Sequence, residues 1–127
     1  MKILLIGSGG REHAIAWKLS KSKQLTKLYI APGNPGTGRC GENVDIKDTD
    51  IDGLVAFARE KKIDLAVIGP EDPLAGGIVD ALSNAGIKAF GPSGMAAALE
   101  ADKAYAKKIM HASAIPTAEG RNFTSYH

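Results

Sequence analysis

Four apolar residues in a row, Ile3-Leu4-Leu5-Ile6, follow Lys2 and stop at Gly7-Ser8-Gly9-Gly10. An unbroken apolar run, rather than an alternating one, suits a parallel strand covered by helices on both faces, so this stretch reads as a central strand. Arg11 and Glu12 then open a helix with apolar positions Ala14, Ile15, Trp17 and Leu19. The cycle repeats along the chain. Lys27 to Ala31 reads as a second strand, ended by the turn-rich Pro32-Gly33-Asn34-Pro35-Gly36-Thr37-Gly38, and Asn43 to Ile46 as a short third strand. Ile51 to Lys61 reads as a helix that buries Ile51, Leu54, Val55 and Ala58, capped by Asp48 or Asp50. Asp64 to Ile68 is the next buried strand. Its loop, Gly69-Pro70-Glu71-Asp72-Pro73-Leu74, leads into a helix with Pro73 in the first turn and Leu74, Ile78, Val79, Leu82 and Ala85 facing inward. Asn84-Ala85-Gly86 ends that helix, and Lys88 to Phe90 forms the last strand.

The pattern then changes in kind. Gly91-Pro92-Ser93-Gly94 leads, with Ser93 as N-cap, into an Ala-rich helical stretch from about Met95 to Ser113, restarted by Asp102. Its apolar residues are small and Lys103, Lys107 and Lys108 lie on its polar side, so it reads as a connector. Ile115-Pro116-Thr117 breaks the helix, and Ala118 to Thr124 has the pattern of an edge strand that begins something new. The expectation is a fragment cut just inside a second domain. Residues 1–100 would form an α/β, Rossmann-like open parallel sheet of about five strands with helices on both faces. Residues 101–127 would be a helical connector and the start of that second domain.

Composition narrows the classes of function. With 44% hydrophobic and 24% charged residues among 127, the chain is an ordinary globular domain. A net charge of +2 with interspersed signs gives no basic stripe, so nucleic acid is not an expected partner. Cys40 is alone, which excludes a disulfide framework, and reads as a loop thiol. The apolar run after Lys2 is too short for a signal peptide and no long apolar span exists, so the expectation is a cytoplasmic protein without membrane contact. His13, His111 and His127 stand far apart with no metal-ligand spacing, and no serine elbow, P-loop or kinase signature occurs. His13, one turn before Trp17, reads as a helix-face histidine, and no catalytic or metal-binding residue is assigned.

The candidate chemistry lies in the loops. Strand, Gly-rich turn and helix N-terminus together make an anion site, because the unpaired first-turn N–H groups and the positive end of the dipole point at one spot. Gly7 and Gly9 fit the dinucleotide fingerprint, but Glu12 stands at the third glycine place and the second strand ends in Pro32-Gly33-Asn34 without a carboxylate. Arg11 points instead to a compact phosphate monoester, since guanidinium adds forked, charged donors to the backbone amides. The alternative is a tight turn with Arg11 solvated. Asn34 is either a substrate donor or an Asx turn. Glu71 either caps its helix, as Asp72 also can, or faces the Gly9 cradle and accepts from ribose hydroxyls or an amine.

The combination of KILLIGSGGREHAIAWKL, APGNPGT, DLAVIGPEDPL, AFGPS and the run from Glu100 to Thr117 closely resembles the N-terminal region of the phosphoribosylamine-glycine ligase (glycinamide ribonucleotide synthetase) family of the ATP-grasp superfamily. GGREHA and GPEDPL together are specific far beyond a shared fold. The resemblance implies an enzyme joining glycine to 5-phosphoribosylamine in purine synthesis, with ATP cleaved to ADP and phosphate, through an acyl phosphate of glycine and with Mg or Mn. It implies substrate-facing positions at Gly9, Gly10, Arg11, Glu12, Asn34 and Glu71, and places Lys103 and Lys107 in the segment leading to the nucleotide. Asp102 stands where that segment is expected to carry a small hydroxyl residue. The nucleotide loop, metal-binding carboxylates and glycine site would lie on ATP-grasp domains beyond His127, so the fragment is expected to be inactive alone. A free-standing dinucleotide module and the matching domain of another ATP-grasp enzyme are the rival expectations.

Overall fold

The computed structural model describes residues 1–121 and 123. Five strands, β1 (Lys2–Gly7), β2 (Lys27–Pro32), β3 (Glu42–Asn43), β4 (Leu65–Ile68) and β5 (Lys88–Phe90), form one parallel sheet in the order β3-β2-β1-β4-β5. The expected Rossmann-like sheet with β1 at its centre is therefore present. Ile6 is level with Ala31 of β2 and with Ile68 of β4, so the three central strands end together and their loops emerge side by side.

Alternation along β1 divides the core. Leu4 and Ile6 face one layer, with Ala31, Ala66, Ile68, Leu54, Ala58, Ile78 and Leu82, while Ile3 and Leu5 face the other, with Leu28, Ile30 and Ala16. The first layer is covered by α2 (Ile51–Glu60), α3 (Glu71–Ala75), α4 (Ile78–Asn84) and α5 (Gly94–Ala101), the second by α1 (Gly10–Ser20). Both faces of β1 are thus buried, as its unbroken apolar run requires.

Four local features refine or correct the sequence expectation. α1 lies on the sheet through Ala16, Ile15 and Leu19, whereas Ala14 is exposed and Trp17 is 56% exposed, with the Lys21 ammonium 5.8 Å from its ring centroid. Glu12 and Ala16, one turn apart, take the innermost line of the helix, and 100° per residue then turns Trp17 outward. The helix expected from Pro73 to Ala85 is two helices, because Gly77 sits at φ 87°, outside helical space. β3 is only Glu42–Asn43, held at the sheet edge by an ion pair of 2.8 Å between Lys27 and Glu42. Residues 118–121 are irregular rather than a strand, and part of that expected element lies outside the described residues.

The restart at Asp102 is present. The residue leaves helical geometry (φ −115°, ψ 100°), and its Oδ1 accepts from the N–H groups of Ala104 and Tyr105 to begin α6 (Lys103–Ala112). No helix among the described residues is long and apolar enough to cross a membrane.

Candidate functional site

Strand order reverses at β1, so the loops after β1 and β4 diverge there and leave a crevice at the carboxyl edge of the sheet. Those loops are laced to the end of β1. Gly69 N–H donates to Ile6 O and Gly33 N–H to Gly7 O, each at 3.1 Å. Gly7 itself has φ 134°, which L side chains rarely adopt, and that conformation turns the chain from β1 toward α1.

α1 begins at Gly10 behind an extended Gly9. Glu12 closes half of a capping box: its Oε2 accepts the Gly9 N–H at 2.7 Å, and the residue is only 5% exposed. The N–H groups of Gly10, Arg11 and Glu12 have no acceptor among the described residues, and they are the first-turn donors that a bound anion would meet. Arg11 reaches across the crevice. Its Nη1 donates to Gly69 O at 2.9 Å and its Nη2 lies 3.6 Å from Glu71 Oε1, with the two side chains 64% and 42% exposed.

Glu71 is the first residue of α3, whose N-cap is Pro70, so neither it nor Asp72 caps the helix. Of the two readings open for Glu71, the one facing the Gly9 turn matches its position beside Arg11. Asn34 is bonded at both ends. Its Oδ1 accepts from Gly36 N–H (2.8 Å) and Thr37 N–H (3.0 Å), and its Nδ2 donates to Ser8 O (2.9 Å), tying the loop after β2 to the turn after β1. This is an Asx turn that also braces the cradle.

Thr37 and Asn43 are expected only as turn and strand residues, although both support the site. The fully buried Thr37 hydroxyl accepts the Asn34 N–H at 2.8 Å and has Asn34 O and Asn43 Oδ1 as acceptors at 2.9 and 2.7 Å. Asn43 Nδ2 donates in turn to Asn34 O at 2.8 Å. An Asn followed three residues later by Thr in a Pro/Gly loop is a usable signal for Thr37; nothing local points to Asn43. His13 packs over Gly36, where a Cβ would come within 2.6 Å of its Nδ1.

Lys103 and Lys107 belong to a second cluster. With Lys108, His111 and Arg121 they line a groove of ≈ 260 Å³ between α6 and the segment after it. Lys107 Nζ donates to Thr117 Oγ1 at 2.6 Å and also to Ala118 O, so it latches that segment onto α6. Among the described residues no group of three His, Cys, Asp or Glu side chains is placed to hold a metal ion. The clear pKa shifts lie elsewhere, at the β2–β3 edge. There hydrogen bonding between the two side chains raises Lys27 and lowers Glu42 from their ordinary values.

The family model described as "Phosphoribosylglycinamide synthetase, N domain" matches residues 1–100. Phosphoribosylamine--glycine ligase of Haemophilus influenzae is 52% identical over 126 residues, covering 98% of this chain and 29% of that protein. The ligase of the same name from Rhodopirellula baltica is 47% identical over 123 residues, covering 97% of this chain and 28% of that protein. The chain therefore spans under a third of the length of these curated relatives. Among solved structures, phosphoribosylamine--glycine ligase from Thermotoga maritima superposes with a TM-score of 0.66 at 31% identity, covering 94% of this chain and 26% of that one. The biotin carboxylase subunit of pyruvate carboxylase superposes at 0.69 with 17% identity, a likeness of fold alone, over 98% of this chain and 30% of that one.

Proposed function

The chain belongs to the phosphoribosylglycinamide synthetase N-domain family, and from that premise we propose that it is the substrate-holding part of a ligase that joins glycine to 5-phosphoribosylamine with cleavage of ATP. The observation that carries the reading is the convergence of three loops on the open N-terminus of α1. The phosphate of phosphoribosylamine is held by the amides of Gly10, Arg11 and Glu12 and by the Arg11 guanidinium, beyond the turn that the positive φ of Gly7 makes. Arg11 keeps part of its donor fork free for this. Glu71 then accepts from ribose hydroxyls or the anomeric amine, and Asn34 holds the loop between them.

The chain's share of catalysis is positioning. A phosphosugar anchored at its phosphate presents its amine at a fixed place, so attack on an acyl phosphate formed elsewhere in the enzyme becomes effectively intramolecular. Residues 1–100 are the substrate-binding unit, and residues 101–127 lead into the ATP-grasp part, which supplies the ATP, metal and glycine sites. The described residues offer no cluster that fits a metal ion. The basic groove with Lys103 and Lys107 has the charge for a nucleotide phosphate, and Lys107 would hold the segment beside it.

An amide-resolved NMR titration with ribose 5-phosphate, standing in for phosphoribosylamine, and with NAD tests this. Saturable shifts at Gly10, Arg11 and Glu12 with ribose 5-phosphate alone are expected. Affinity should be on the order of millimolar, about 4 kcal/mol, for half a cleft. Arg11→Ala should weaken it about tenfold, the loss of one charge-assisted hydrogen bond. Shifts confined to NAD would replace the reading with a dinucleotide module.

A further inference from the structure

Glu12 is a buried carboxylate that the proposed function uses only through its backbone amide, and its side chain packs against both the β1 and the β4 turns. Its Oε2 takes the Gly9 N–H at 2.7 Å. A Cβ built at Gly7 would stand 2.7 Å from Glu12 Cδ, one at Gly69 would stand 2.6 Å from the same atom, and one at Gly9 would stand 2.9 Å from Oε2. Three glycines on two separate turns thus surround one side chain. Gly7 also needs its positive φ, but Gly69 has no such conformational demand, so the glycine there answers to the space that Glu12 fills. A side chain at Gly69 would force the carboxylate aside, and moving it breaks its bond to Gly9.

We propose that Glu12 is a positioning residue that pins the β1 and β4 turns together and restricts the crevice to a single phosphate group. The inference rests on the reading of the crevice as a phosphosugar site and names what sets its ligand class. In the dinucleotide fingerprint a glycine at this place lets helix and strand close up while a pyrophosphate runs along the turn. Here the carboxylate fills that place and consumes the Gly9 N–H, one of the donors a second phosphate would use. The amides of Gly10, Arg11 and Glu12 remain, all on one helical turn and enough for one phosphate. Glu12→Gly supplies the third glycine of the G-x-G-x-x-G pattern that Gly7 and Gly9 begin, which makes the substitution a direct test.

The experiment measures binding of ribose 5-phosphate and of NAD to this chain and to Glu12→Gln and Glu12→Gly, together with thermal midpoints for Gly69→Ala in the native and Glu12→Ala backgrounds. Glu12→Gln keeps the shape and an acceptor for Gly9, so its preference for ribose 5-phosphate over NAD should stay within about threefold of the native one. Glu12→Gly should lower that preference at least about tenfold. Gly69→Ala should lose most of its destabilising effect in the Glu12→Ala background, because the obstructed atoms are gone. An unchanged preference in a folded Glu12→Gly protein would overturn the proposal, as would additive effects of Gly69→Ala and Glu12→Ala. Failure of the native chain to bind ribose 5-phosphate would count against the proposed function. The coupling between Gly69 and Glu12, and any gain of NAD binding in Glu12→Gly, would still judge the pinning role.

Discussion

Thr37 shows how much of the site depends on residues that touch no ligand. Its hydroxyl is fully buried and joins Asn34 and Asn43, so one oxygen adds to the Asn34 side-chain bonds that shape the loop after β2. Thr37→Val is nearly isosteric but leaves the Asn34 N–H and Asn43 Oδ1 without that partner. The expected loss is about 1–3 kcal/mol by urea denaturation with an unchanged m-value. A loss below about 0.5 kcal/mol would mean that the loop relaxes around the missing hydroxyl. The residue types of the site were legible in sequence because they stand at the carboxyl ends of expected parallel strands, where ligands bind in open α/β sheets, although each also had an ordinary turn or capping use. Their partners were not. That Arg11 donates to Gly69 O, and that Asn34 is bonded at both its polar atoms, are facts about neighbours 58 and 26 residues away.

At the scale of elements, the period of the apolar residues was a sound guide where an element is buried on both sides and a poor one at its ends. β1, β2 and β4 lie where their apolar runs predict, because each must fill space on two faces. The helix expected after β4 breaks in two, since apolar spacing carries across Gly76-Gly77 while the backbone does not. Gly77 has φ 87° and open space where a Cβ would be, so its requirement is conformational only. Gly77→Ala is therefore expected to cost about 1 kcal/mol, and Gly77→Asn less, since Asn tolerates the left-handed region better. Equal stability of the alanine variant and the native chain would show that α3 and α4 readily merge into one helix. Trp17, one of the apolar positions of the expected first helix, lies outward and is 56% exposed. An aromatic residue at that spacing suits an inward face, but Glu12 and Ala16 set the inward line of α1 instead.

For the whole molecule, stability is expected to be uneven. β1 is buried along its length from Ile3, whereas α6 has no buried residue and begins after the break at Asp102. A ten-residue helix with only half-buried residues on its packed side is marginal on its own, so backbone amides in Lys103–Ala112 should exchange from openings far smaller than global unfolding. Native-state hydrogen exchange checks this against the amides of Leu4 to Ile6. Equal protection in the two segments would show that α6 is bound to the sheet domain more firmly than its exposure implies. By itself the sequence determined the parallel sheet, its central strand and the loops that carry polar groups, because burial on two faces and a glycine-rich turn before a helix leave a signature in consecutive residues; the likeness to the family was carried by the motifs GGREHA and GPEDPL. The tertiary structure alone decided how the loops close on one another: Arg11 across to the β4 turn, Asn34 back to the β1 turn, and Glu12 folded inward among three glycines. Those arrangements are contacts between strand ends separated by whole crossovers, and no local pattern encodes which atoms meet there.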